Sequence, residues 1–148
     1  RYVIAVIVGT GPEEDALKLL AKKRGVADRV VFTGFSSDAI SYINAMDVFV
    51  LPSGKEGLPR VILEAMLMGR PVVAFDVVGP SELVEDKRTG FLLKDSGPGQ
   101  IAAAVDALLN DTSMMERMGR MCRQRVVESF SIDKYIKGVH SVFEEVLR

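Results

Sequence analysis

Five short apolar runs bounded by turn residues punctuate the chain: Val3 to Val8, Val30 to Thr33, Val48 to Leu51, Val72 to Phe75 and Gly90 to Leu93. They are rich in β-branched or aromatic residues and lack clean apolar–polar alternation, the pattern of strands covered on both faces in a parallel sheet. Helical patterns lie between them. After Gly9-Thr10-Gly11, Pro12 is the expected first helical residue, and Glu13, Glu14 and Asp15 suit the positive end of a helix dipole. Ala16, Leu17, Leu20 and Ala21 form its apolar face, and Gly25 stops it. Ser37-Asp38 are expected to cap a short helix through Ala45, and Pro59 to Met68 to form another that ends at Gly69.

This alternation from residue 2 to residue 93 predicts an α/β domain with right-handed crossovers. From Ser96 onward only helices are expected, over residues 98–109, 113–128 and 132–147, the last starting near Ser131. Met114, Met115, Met118 and Met121 recur at packing spacings, which favours core packing over an adaptable partner surface.

Composition narrows the function classes. The chain has 148 residues, enough for one domain with a sizeable core, and its 19 Lys+Arg against 20 Asp+Glu give a net charge of −1. No basic stripe marks a nucleic-acid or anionic-membrane binder. The single Cys122 excludes an internal disulfide framework, and no Cys/His cluster at ligand spacing supports a metal. No apolar window of about 18 residues and no signal-like start occur, so neither a membrane span nor secretion is expected. A cytoplasmic location is the default, with a peripheral place at the inner membrane face as an alternative for a longer protein. The chain opens inside an apolar run without Met, so it is read as a piece of a longer polypeptide.

Three loops are candidates for chemistry. Val8-Gly9-Thr10-Gly11-Pro12 joins a strand to a helix, but a third glycine of a dinucleotide fingerprint would fall at Glu14, and the acidic first turn repels a diphosphate. A tight turn is the preferred reading, with Gly9 and Gly11 forming one wall of a cleft as the alternative.

The segment from Ser53 to Gly69, S-G-K-E-G-L-P-R-V-I-L-E-A-M-L-M-G, says more. It follows a strand end, where open α/β sheets bind ligands. Glu56 precedes the helix and Glu64 sits about 7.5 Å along its axis from Pro59. From Val61 to Met68 Glu64 is the only charge, so the helix is expected to be buried nearly all round. A carboxylate there must be paired, hydrogen-bonded or protonated. An Arg60–Glu64 ion pair at i,i+4 is the bland explanation; it accounts for neither Glu56 nor the flanking Gly54 and Gly57. The helix start lacks acids and carries Lys55 and Arg60, so the N–H groups of Leu58, Arg60 and Val61 make a reasonable diphosphate seat. The third loop, Phe75 to Val84, offers Ser81 and Glu82, with cleft and ordinary helix-start roles equally open.

Glu56 and Glu64, with seven residues between them in E-G-L-P-R-V-I-L-E-A-M-L-M-G-R-P-V-V-A, resemble the signature of the family 4 retaining glycosyltransferases, the group 1 glycosyl transferases. V-G-T-G-P at 8–12, R-V-V-F-T-G-F at 29–35, A-M-D-V-F-V-L-P-S at 45–53, G-P-S-E-L-V at 79–84, T-G-F-L-L at 89–93 and R-V-V-E-S-F-S at 125–131 extend the resemblance to nearly the whole chain. The resemblance implies the C-terminal, nucleotide-sugar-binding half of a two-domain GT-B enzyme: a Rossmann-like three-layer parallel sheet with a helical tail. It places Glu56 as the catalytic residue near the donor sugar, Glu64 on the ribose, the backbone of Gly57, Leu58, Pro59, Arg60 and Val61 at the diphosphate, and Gly34, Phe35, Ser36 and Asp38 beside the base. It implies no metal and no cofactor beyond a UDP-, GDP- or ADP-sugar donor. Transfer with retained anomeric configuration by a front-face mechanism is the expected chemistry.

The same resemblance implies that residues 1–148 are a single donor-binding domain lacking its first strand. In the family that strand carries an Arg and a Lys for the donor phosphates, and the resemblance implies that it would run between the strands at 3–8 and 48–51. The N-terminal domain, which holds a glycan, lipid or small-molecule acceptor, is absent, so the fragment alone is expected to be inactive. A sugar-nucleotide epimerase and a non-catalytic nucleotide-binding module are the competing readings. His140 is expected at the surface or in packing, and Asn110-Asp111-Thr112 as a loop between helices.

Overall fold

Every apolar run becomes a strand, and each strand pairing is parallel. The computed structural model describes residues 2–94 and 97–147; Arg1, and Ser96 where the helical tail was expected to begin, lie outside the described residues. The chain forms two compact units, Arg1–Tyr42 and Ile43–Arg148.

In the first unit, β1 (Ala5–Val8) pairs with β2 (Val30–Gly34) through α1 (Glu14–Lys23) and a 3-10 turn at Ala27–Arg29. β1 is shorter than the apolar run, because its pairing opens at Ala5 opposite Val30. Nor is this sheet covered on both faces: Ile4, Ile7 and Val31 are exposed, since one helix and one turn cannot shield two strands. Pro12 stands in the turn before α1 rather than in it, with Glu14 N–H donating to Gly11 O at 3.2 Å. α1 ends at Gly25 as expected. The short α2 (Ala39–Ala45) carries the chain from the first unit into the second and is capped by Asp38, whose Oδ1 accepts from Ser41 N–H at 3.2 Å.

In the second unit, β3 (Phe49–Leu51), β4 (Val72–Phe75) and β5 (Gly90–Leu93) form a sheet in that order. α3 (Arg60–Leu67) and the single-turn α4 (Pro80–Leu83) follow β3 and β4. The tail is α5 (Pro98–Asn110), α6 (Thr112–Ser129) and α7 (Ile132–Val146). All four residues of β4 are buried, and they divide by the two-residue period of a strand. Val72 and Ala74 join Ile62, Met66, Leu83 and Cys122, whereas Val73 joins Ala104, Leu108 and Met118. Met118 and Met114 thus belong to core packing. Asp111 does more than link two helices: its carboxylate accepts from Met114 N–H at 2.8 Å and caps α6. His140 is exposed on α7, with Nδ1 3.4 Å from Glu144. Among the described residues no helix is long and apolar enough to cross a membrane.

Cys122 ties α6 to the segment before β5, its Sγ lying 2.9 Å from Thr89 O. Burial pushes the thiol up to about 12. The folded state therefore favours the neutral thiol, and this contribution is present below the ordinary value of 9.0 and lost as pH rises through about 12. Native protein at pH 8 should resist a thiol-specific reagent that labels Cys122 quantitatively in denaturant; equal rates in both states would contradict this burial.

Candidate active site

The parallel pairing of β3 with β4, Leu51 opposite Ala74, brings the loops after both strands to the carboxyl end of one sheet. They meet at glycine. Gly79 has φ +92°, and a Cβ built on it would lie 2.0 Å from Gly57 O and 3.1 Å from Pro59 Cδ. Only a residue without a side chain lets the two backbones approach this closely.

Pro59 is the N-cap of α3, with an extended ψ of 94°, rather than its first helical residue. Glu64 consequently stands four residues past the first helical position, about 6 Å along the axis. The first hydrogen bond of the helix runs from Ile62 N–H to Pro59 O at 2.9 Å. Among the described residues the N–H groups of Leu58, Arg60 and Val61 donate to no backbone carbonyl, which leaves three donors at a helix start without acids. α1 differs, having Glu14 and Asp15 in its first turn.

Glu56 and Glu64 are half-buried, and Lys55 and Arg60 are exposed. Among the described residues, none of these four forms an ion pair or a side-chain hydrogen bond. The Arg60–Glu64 pair that would have explained Glu64 structurally is not made. α3 is also less enclosed than its sequence implied: Ile62, Ala65 and Met66 are buried, whereas Leu67 is exposed and Val61, Leu63 and Glu64 are intermediate. Its apolar residues outnumber the positions that the sheet, α4 and α6 can cover.

The first unit gathers a separate set. Gly9 N–H donates to Gly34 O at 2.8 Å, so the Gly9-Thr10-Gly11 loop lies against the end of β2. Phe35 beyond it is 82% exposed. Ser36 Oγ accepts from Asp38 N–H at 3.1 Å, and hydrogen bonds from Ser41, its side chain first and its N–H next, hold the Asp38 carboxyl below its ordinary value. Both loops follow the carboxyl ends of their strands.

In the sequence Gly79 is only part of a turn, and no sequence signal links it to Gly57, because their contact is tertiary. Ser81 and Glu82 are exposed on α4. Among the described residues no group of three His, Cys, Asp or Glu could hold a metal ion.

Known proteins resemble this chain in sequence and in fold. The sequence profile of the family described as glycosyl transferases group 1 matches residues 2–125. The alpha-D-kanosaminyltransferase of Streptomyces kanamyceticus is 37% identical over 143 residues, 95% of this chain and 37% of that protein. The N-acetyl-alpha-D-glucosaminyl L-malate synthase of Bacillus anthracis is 31% identical over 97% of this chain and 38% of its own length. Among solved structures, Anabaena Alr3699/HepE in complex with UDP superposes with a TM-score of 0.87 at 29% identity, over 97% of this chain and 41% of that one. The C-terminal domain of the group 1 family protein LpcC from Francisella tularensis superposes with a TM-score of 0.78 at 27% identity, over 87% of this chain and 70% of that one. The chain thus spans under two-fifths of the length of these two curated relatives. With the profile matching most of its residues, the chain belongs to the glycosyl transferases group 1 family.

Proposed function

We propose that this chain is the donor-binding domain of a retaining hexosyltransferase that moves a sugar from a nucleoside diphosphate to an acceptor. The observation that carries the reading is the pair of half-buried, unpartnered carboxylates, Glu56 and Glu64, flanking a helix start with three free N–H donors. Unpaired carboxylates beside an anion seat suit a ligand that offers hydroxyls and a diphosphate together. In this reading Glu56 acts at the donor sugar and Glu64 accepts from the ribose. The N–H groups of Leu58, Arg60 and Val61, aided by Lys55 and Arg60, hold the diphosphate, with Gly57 and Pro59 shaping the loop. Phe35, Ser36 and Asp38, with Gly9 and Gly11, are the first unit's own candidate nucleotide-contacting residues. A uridine nucleotide is the first candidate, since Alr3699/HepE is solved with UDP and with UDP-glucose.

Retention follows a front-face course. The bond from the anomeric carbon to the diphosphate breaks, the acceptor oxygen bonds on the same face, and the departing phosphate oxygen takes its proton. The helix start stabilises the charge that develops on the leaving group. We also propose that the acceptor, a glycan, lipid or small molecule, is held by a separate N-terminal domain. We propose too that a strand outside residues 1–148 pairs with one of the open edges: among the described residues β1 is bonded only to β2 and β3 only to β4.

A thermal-shift screen of the complete protein against UDP-, GDP- and ADP-sugars tests the reading. One class should raise the melting midpoint, by about 2.7 kcal/mol of added stability at a hundredfold excess over Kd. No shift with any class would overturn it. Val61→Asp, which puts an acid into the first turn, should weaken binding of that nucleotide roughly tenfold by calorimetry. Unchanged affinity would remove the diphosphate from this helix start.

A further inference from the structure

α4 is a helix of four residues, too short to hold itself, yet its first flanking residue, Gly79, abuts the Gly57 backbone beside Glu56. Its last carbonyls find their partner in α6. Arg125 Nε donates to Leu83 O at 2.7 Å and Nη2 to Glu82 O at 3.0 Å, while Nη1 bonds the Glu85 carboxylate. The guanidinium lies 5.5 Å from the Phe130 ring centre, and the side chain is only 23% exposed. One planar fork therefore satisfies two orphan carbonyls and a carboxylate at once, which a lysine cannot do.

We propose that Arg125 is a positioning residue for the nucleotide-sugar seat: it pins the carboxyl end of α4, and the pinned α4 holds Gly79 against Gly57 and so sets the Glu56–Val61 loop. The inference rests on the function proposed above. Arg125 itself touches no substrate; its effect passes through the Glu82 and Leu83 carbonyls, the α4 turn and the Gly79–Gly57 contact. Ordering this loop before the donor arrives spares the entropy of ordering it on binding, so loss of the pin appears in donor KM more than in kcat.

The test uses the complete protein with Arg125→Met, which keeps a long apolar stem against Phe130 and removes every donor. Donor KM should rise about tenfold with kcat within about threefold of wild type. Hydrogen exchange should quicken at Glu82, Val84 and Ile62, whose N–H groups bond Gly79 O, Pro80 O and Pro59 O. Arg125→Lys, which restores charge without the fork, should fall between the two and serves alone if the Met variant fails to fold. Glu85→Gln keeps both carbonyl bonds and should leave donor KM within twofold. A lowered melting midpoint with unchanged KM and unchanged exchange at Ile62 would make Arg125 merely structural and overturn the proposal, as would a KM rise in Glu85→Gln equal to that in Arg125→Met. If the wild-type protein binds no nucleotide sugar, the functional reading fails, and exchange at Ile62 still decides whether Arg125 sets the loop.

Discussion

Glu56→Gln in the complete protein should lower kcat by roughly a hundred- to a thousandfold, the range seen when one preorganised electrostatic group is lost from an active site. The substitution keeps shape and removes charge. The folded chain gives that charge nothing to do: among the described residues Glu56 makes no ion pair and no side-chain hydrogen bond. Folding stability should therefore stay within about 0.5 kcal/mol of wild type, as for an ordinary surface exchange. Turnover with the best donor and acceptor, set beside a urea titration, separates the two effects. Full activity in the variant would remove Glu56 from the chemistry, and a scaffold that merely binds a nucleotide would keep its binding.

Gly79→Ala should act by geometry rather than charge. The new Cβ would stand 2.0 Å from Gly57 O, and the residue would retain φ +92°, a region that L side chains rarely adopt. The clash and the backbone strain each cost on the order of 1–3 kcal/mol, so a loss of about 3 kcal/mol or more is expected in denaturant titration. Relief requires the Gly57–Pro59 backbone to withdraw, and donor affinity should fall with stability. Gly54→Ala is the control, since its Cβ meets nothing within 4 Å and its φ is not in the left-handed region. A stable Gly79→Ala protein with unaltered donor affinity would show that the two loops move independently.

Much of the fold was legible locally. β4 and β5 match their apolar runs at both ends, and the helices that follow them begin within a residue or so of the expected places. Caps such as Asp38 and Ser131 act on neighbours three residues away, a range that the chain itself encodes. Errors arose where a partner decides the outcome. β1 starts only at Ala5 because β2 starts at Val30, and the first sheet is exposed because only one helix and one turn accompany it. Pro12 and Pro59 fall outside their helices, Pro12 before the N-cap Glu13 and Pro59 as the N-cap itself, and spacing does not choose between these places and the first turn.

The candidate site divides in the same way. The spacing of Glu56 and Glu64, the missing acids before α3 and the run of matching segments were all present in residue order, and they identify the family without coordinates. Residue order could not show that Arg60 leaves Glu64 unpaired, that Gly79 stands against Gly57, or that Arg125 reaches back across 42 residues to Leu83 O. By itself the sequence determined the α/β alternation and the family and singled out two candidate carboxylates, since these depend on periodicity, turn chemistry and spacing within a few residues. Only the tertiary structure decided which carboxylates lack partners and which backbone their loop abuts, because a hydrogen bond or a backbone contact depends on distance in space, and parallel crossovers join segments that lie far apart along the chain.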